Sequence, residues 1–88
     1  MGNPRGRADL FYQEVADGGV LFDSDGEKVY VLNVSAAFVW NCCDGEHTRE
    51  QIVEELAEAL GEKAPERKAL GADVDKSLED FRRNGLLS

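Results

Sequence analysis

Cys42, Cys43 and His47 fall together in the stretch "WNCCDGEH", and thiolate with imidazole is the usual ligand chemistry of zinc. The spacing argues against a closed site. Adjacent cysteines on a helix point about 100° apart, and the chain has no second Cys pair or second His to complete a tetrahedral set. No metal or other cofactor is therefore expected. A Cys nucleophile with His47 as base would also need an orienting group and a pocket that excludes water, for which a chain of 88 residues has little room. A disulfide between neighbours would strain a helix. Packing is the simpler role: the stretch reads as a joint between two helices, with at least one Cys a small core hydrophobe. Trp40 is its largest core member, an indole burying about 150–250 Å². No acid, base or nucleophile is assigned, and the chain does not read as an enzyme.

The elements that must hold this joint follow from periodicity. Asp9 to Val15 supplies Leu10, Phe11, Tyr12 and Val15, bulk suited to a pleated surface. "ADGG" makes a turn, and the strands Val20 to Phe22 and Lys28 to Leu32 are separated by a segment whose Asp25-Gly26 pair signals a hairpin. After Asn33 the pattern becomes helical. Asn33 or Ser35 can cap a helix that is apolar on most sides, which "DGEH" ends. Thr48 with Gln51 is a capping-box pattern for a second helix striped by Ile52, Val53, Leu56 and Leu60. Gly61 to Gly71 reads as a polar connection with at most a helical turn after Pro65. A third helix carries Val74, Leu78 and Phe81 at i, i+4, i+7, with Gly85 past its end and Leu86 and Leu87 returning to the core. Three strands then three helices predict an α+β fold in one domain over residues 1–88, its core about 9–87.

Ten Lys and Arg against eighteen Asp and Glu give a formal charge of -8. Such a surface repels phosphate backbones, and no nucleic acid is expected as partner. Three helices and a small sheet also describe a winged helix-turn-helix, so a small transcriptional regulator is the competing reading. Its recognition helix would be "DVDKSLEDFRRNG", whose acidic Asp73, Asp75, Glu79 and Asp80 outnumber Lys76, Arg82 and Arg83. No apolar run approaches the roughly 18–20 residues that cross a bilayer, and "MGNPRGRADL" lacks the apolar centre of a signal peptide. Gly6 stands where a myristoylation motif wants Ser or Thr. A cytoplasmic protein without a membrane partner is expected.

Taken in order, "VYVLNVSAAFVWNCCDGEHTREQIVEEL" and "ADVDKSLEDFRRNGLL" resemble the PqqD-like proteins. The shared features are a strand ending in Leu-Asn, an apolar helix, Asp-Gly, a Thr-capped helix, and an Asp-Val helix ending in Gly-Leu-Leu. The resemblance spans about residues 9 to 87. It implies a winged helix-turn-helix-like domain, a three-stranded antiparallel sheet followed by three helices. It also implies a function: a peptide chaperone, or RiPP recognition element, that binds the leader of a ribosomally made precursor peptide and presents it to a modifying enzyme. In the founding pathway that enzyme is a radical S-adenosylmethionine protein and the product is pyrroloquinoline quinone. "VLFDSDGEKVYVLN" lacks the founding member's Pro-Glu, and Trp40 with Cys42 and Cys43 is more similar to relatives attached to other peptide systems.

The resemblance carries a binding site onto the third strand and third helix. An outer strand offers unpaired N–H and C=O groups that a peptide can satisfy by adding itself to the sheet. Lys28, Val29, Tyr30, Val31 and Leu32 form that edge, and Val74, Leu78 and Phe81 stand on the helix that walls the groove. Each of these apolar residues has core packing as its competing role, Leu32 above all. Lys76, Arg82 and Arg83 are the candidates for polar contacts with an acidic leader.

Overall fold

Bulky residues in alternation, joined by a tight turn, build the first hairpin. In the computed structural model, which describes residues 2–23 and 27–88, β1 (Phe11–Val15) turns at Ala16 and Asp17 into β2 (Gly18–Asp23). Strand β3 (Lys28–Leu32) pairs with the other side of β2, so the sheet runs β1-β2-β3, antiparallel throughout. The Asp25-Gly26 turn expected between β2 and β3 lies outside the described residues. The first turn is tighter than "ADGG", because Gly18 and Gly19 already belong to β2. Gly18 has φ +144°, and a Cβ there would meet the Leu32 carbonyl oxygen at 1.9 Å, so only glycine can enter the strand at this point.

Alternation then divides the sheet into two faces. Leu21 and Leu32 are buried and Tyr12 and Tyr30 half-buried on the inner face, while Phe11, Phe22, Val29 and Val31 stand exposed on the outer one. The helices cover the inner face. Helix α1 (Val34–Cys42) is capped by Asn33, whose side chain accepts from the Ala36 N–H at 2.8 Å. It lies against β2, β3 and the other two helices, which is why it is apolar on most sides. Helix α2 (Arg49–Leu60) opens with both halves of the Thr48/Gln51 capping box and buries Ile52, Val53 and Leu56. A single 3-10 turn, Gly61–Lys63, follows.

Helix α3 (Arg67–Arg83) begins earlier than the sequence suggests, within the expected polar connection. Leu70 and Gly71 are buried there, which draws the first turns of α3 against α2. Gly71 survives inside the helix because the space over it is taken: a Cβ would stand 2.6 Å from a nitrogen of the Arg49 guanidinium. That guanidinium crosses Gly71 to make a bidentate pair with Asp75 at 2.8 and 2.9 Å. Leu86 is buried and Leu87 half-buried past the end of α3, as expected. Leu21, Leu32, Val39, Ile52, Leu56, Leu70, Val74, Phe81 and Leu86 form one core drawn from strands and helices, each side chain contributing about 1.5–3 kcal/mol by burial.

Two further features depart from the sequence reading. Trp40 is half-buried at the margin of the core, not inside it, and packs edge-on against Phe81 with ring centroids 5.5 Å apart. An N-terminal arm supplies its lid. The Gly6 N–H donates to the Cys43 carbonyl and the Arg7 N–H to the Leu86 carbonyl, both at 2.9 Å, while the Ser88 N–H donates to Arg5 at 2.8 Å. The arm is thus threaded between the α1–α2 turn and the C-terminus by backbone bonds. No described helix is long and apolar enough to cross a membrane.

Candidate functional site

The free side of β3 and one face of α3 enclose a groove of about 540 Å³. Val29, Tyr30, Val31 and Leu32 form its strand side, and Lys76 and Phe81 belong to its helix side. Six of the residues singled out from the sequence therefore meet in one place. Lys28 is exposed at the start of β3, outside the lining. Val74 and Leu78 are core residues that do not reach the groove. Arg82 lies on another face of α3, beside Leu78 and Thr48, and pairs with Glu79 at 3.1 Å. Arg83 pairs with Asp80 at 3.5 Å.

The groove also contains residues that sequence reasoning passed over. Asp73, Ser77, Asp80 and Asn84 line it, and they recur at i, i+4, i+7, i+11, one stripe displaced by a residue from the buried one. That periodicity was present in the sequence, but a polar stripe on a helix is ordinarily solvated, and only the neighbouring β3 makes it a wall. Asn33, Ser35 and Ala36 close the end where β3 passes into α1. The lining is thus mixed: apolar Leu32, Ala36, Phe81 and Leu86 with carboxylates, amides and one ammonium group around them.

The ladder decides which backbone groups face this groove. Val15 and Gly18 flank a two-residue turn, and such a flanking pair exchanges both its hydrogen bonds. Alternation along β2 then turns the N–H and C=O of Gly19, Leu21 and Asp23 toward β3, where their partners are Leu32, Tyr30 and Lys28. Val29 and Val31 are left with N–H and C=O directed away from β2, toward the free edge. Their side chains stand on the outer face, 58% and 80% exposed. A strand added here would lie about 4.8 Å beyond β3, with alternate side chains directed inward beside α3. The opposite edge, β1, borders a hollow of only about 250 Å³ and presents Glu14.

At the α1–α2 joint both thiols are free and buried. Burial is the main cause that pushes Cys43 up to about 12, with Cys42 and Asp44 adding to it, and its Sγ donates to the Val39 carbonyl at 3.2 Å. Burial, then Glu55 and Asp44, raises Cys42 to about 11. Neither thiol is a nucleophile poised at neutral pH. His47 is held in a fork: its Nδ1 meets both oxygens of Asp44 at 3.0 Å, and its Nε2 meets Glu55 at 2.5 Å. Spacing gave no reason to bring Glu55 here; the crossing of α2 beneath the joint does so.

A family model described as coenzyme PQQ synthesis protein D (PqqD) matches residues 18–87. No curated protein sequence matches the chain. Among solved structures, "Lasso peptide synthetase B1 complexed with the leader peptide" superposes with a TM-score of 0.80 at 21% identity, covering 98% of each chain. "TbiB1 in Complex with the TbiA(beta) Leader Peptide" gives 0.78 at 17% identity over 96% of this chain and 94% of that one. At such identities the likeness bears on fold: the three-stranded sheet followed by three helices is the architecture of both. With the family model spanning most of its length, the chain belongs to the PqqD family.

Proposed function

We propose that the protein is a non-catalytic peptide chaperone that binds the leader of a ribosomally synthesised precursor peptide by strand addition to β3 and presents it to a peptide-modifying enzyme. The observation that carries this reading is the free edge of Val29 and Val31 beside the groove walled by α3. Backbone pairing supplies affinity, and inward side chains settling against Phe81, Leu86 and the polar stripe of α3 supply selection. Family membership and the leader-bound neighbours support the same role. We place the partner enzyme in the radical S-adenosylmethionine class or a related class of peptide modifier, and the complex in the cytoplasm. One folded unit over residues 1–88 suffices for binding in this account.

The experiment uses a synthetic peptide of the cognate precursor's leader, titrated by calorimetry. Val29→Pro and Val31→Pro each remove an outward N–H and crowd the incoming strand, while an outer strand tolerates the change. Binding is expected to fall at least tenfold with the circular dichroism spectrum unchanged. Tyr30→Pro removes a bond to β2 instead and should lower stability. Parent-like binding by folded Val29→Pro and Val31→Pro would contradict the site. Salt-sensitive binding to random duplex DNA, with none to the leader, would favour the regulator.

A further inference from the structure

The side chains that read as an incomplete ligand set in the sequence acquire a third donor in the fold. Cys42 Sγ, a ring nitrogen of His47 and a carboxylate oxygen of Glu55 all lie within 4.8 Å of one another. Bonds of roughly 2.0–2.3 Å to one tetrahedral ion would place such donors about 3.3–3.7 Å apart, so closure requires the pairs with Cys42 to contract by about 1.5 Å at most and the Nε2–Glu55 pair, now at 2.5 Å, to open by about an ångström. The two outer ligands can supply it, since the His47 side chain is partly exposed and that of Glu55 46% exposed. Cys42 is the fixed point, buried at the end of α1.

The surroundings of His47 are those of a metal-bound imidazole. Asp44 engages Nδ1 through both oxygens at 3.0 Å, and Asp44 is itself anchored by the backbone N–H groups of Glu46 at 2.8 Å and His47 at 3.1 Å. A carboxylate on one ring nitrogen fixes the proton there and leaves the other nitrogen's lone pair for an ion. That other nitrogen, Nε2, meets Glu55, and Cys42 belongs to the same cluster. In the free protein the 2.5 Å contact between Nε2 and Glu55 calls for a proton between them. A divalent cation would replace that proton, with the His47 and Glu55 side chains moving apart to admit it.

We propose that Cys42, His47 and Glu55 form a binding site for one divalent ion of the zinc class, with Asp44 orienting the imidazole and water filling the fourth position. Thiolate and glutamate neutralise the two positive charges of the ion. Binding releases the proton of the Cys42 thiol, and that of Nε2 where the ring is protonated, to solvent, and no oxidation is involved. None of the three ligands lines the groove at β3, so the site stands apart from the peptide-binding reading. It would join the end of α1 to the second turn of α2, fixing the joint on which Trp40 and the arm rest.

The test uses the full chain without a histidine tag, purified without chelator and titrated with Co²⁺ alone, then with Zn²⁺ in competition. One equivalent should bind with a thiolate-to-cobalt charge-transfer band, displaced by Zn²⁺. His47→Gln and Glu55→Gln change partly or largely exposed side chains and are expected to fold. Each should abolish stoichiometric binding. Asp44→Asn should weaken it about 10–100-fold while keeping the band, and Cys43→Ser should leave it in place. No thiolate band at one equivalent would overturn the site, as would a band that persists in His47→Gln or Glu55→Gln.

Discussion

Phe81→Ala should destabilise this protein more than Trp40→Ala, against the order of their sizes. Phe81 is 2% exposed and touches both the core and the groove, and truncating a buried Phe costs about 3–5 kcal/mol. Trp40 is only partly buried. Roughly two-thirds of about 200 Å² at about 25 cal/mol per Å² gives ~3.3 kcal/mol, without the closed cavity that adds to the cost of truncating Phe81. The rings meet edge to face at 5.5 Å and 86°, a geometry that adds about 0.5–1.5 kcal/mol, so the double mutant should cost less than the sum of the singles by that amount. In a chain of this length about 4–8 °C of melting temperature accompanies each kcal/mol. Trp40→Ala should then melt about 13–26 °C lower. Phe81→Ala should lose more, against a total stability of about 5–15 kcal/mol. Urea unfolding followed by circular dichroism measures all three variants without relying on the lost indole, and Phe81→Leu gives a milder point should Phe81→Ala fail to fold. Trp40→Ala costing more than Phe81→Ala, or strict additivity, would refute the assignment of Trp40 to the margin of the core.

Further outcomes concern the arm, the α2–α3 clamp and the thiols. Gly6→Ala places a Cβ 2.6 Å from the Trp40 ring and should cost about 1–3 kcal/mol, read as a lower urea midpoint and faster amide exchange at Arg7; a neutral result would mean that the arm does not close over Trp40. The Arg49 guanidinium holds the Asp75 carboxyl below its usual range. A depressed folded value makes this contribution present above the unfolded pKa of about 3.9 and lost as pH falls through the lower folded one. The stability gap between parent and Arg49→Gln, about 1 kcal/mol or less for so exposed a pair, should thus close as pH falls through the depressed folded value of Asp75. With thiols raised to about 11 and about 12, both Cys should react with a thiol reagent at neutral pH only at the rate of unfolding, and promptly in denaturant; a prompt equivalent in the native protein would place one at the surface.

How far the sequence disclosed this structure depended on whether a feature is written in side chains or in backbone. The helix caps were legible because Asn33, Thr48 and Gln51 satisfy specific orphan N–H groups, and α2 opens as its capping box predicts. The start of α3 was not. Glu66 caps it without a side-chain bond, and Pro65 with Gly71 signals a connection until Arg49 is seen to cross Gly71. The arm from Arg5 to Arg7 is held by backbone bonds to Cys43, Leu86 and Ser88, which no hydrophobic pattern encodes. At the site, the edge strand and Phe81 followed from order and periodicity together with the family resemblance. Which of Val29 and Tyr30 faces outward required the register, since alternation gives two faces without saying which is covered. The distinction between Val74 and Leu78 in the core and Asp73, Ser77 and Asp80 in the groove is likewise a rotation of one residue about α3, decided by where β3 lies.

The central claim is that Val29 and Val31 offer the backbone that a leader peptide pairs with. Residue-resolved amide hydrogen exchange, measured by nuclear magnetic resonance with and without a saturating synthetic peptide of the cognate leader, addresses it directly. In the free protein the amides of Lys28, Tyr30 and Leu32 should be slow, bonded to β2, and those of Val29 and Val31 fast. Adding the leader should slow Val29 and Val31 by about tenfold or more, while the amides of β1 keep their rates. Leader binding that leaves Val29 and Val31 in fast exchange, or that protects the outer edge of β1 instead, would contradict the account.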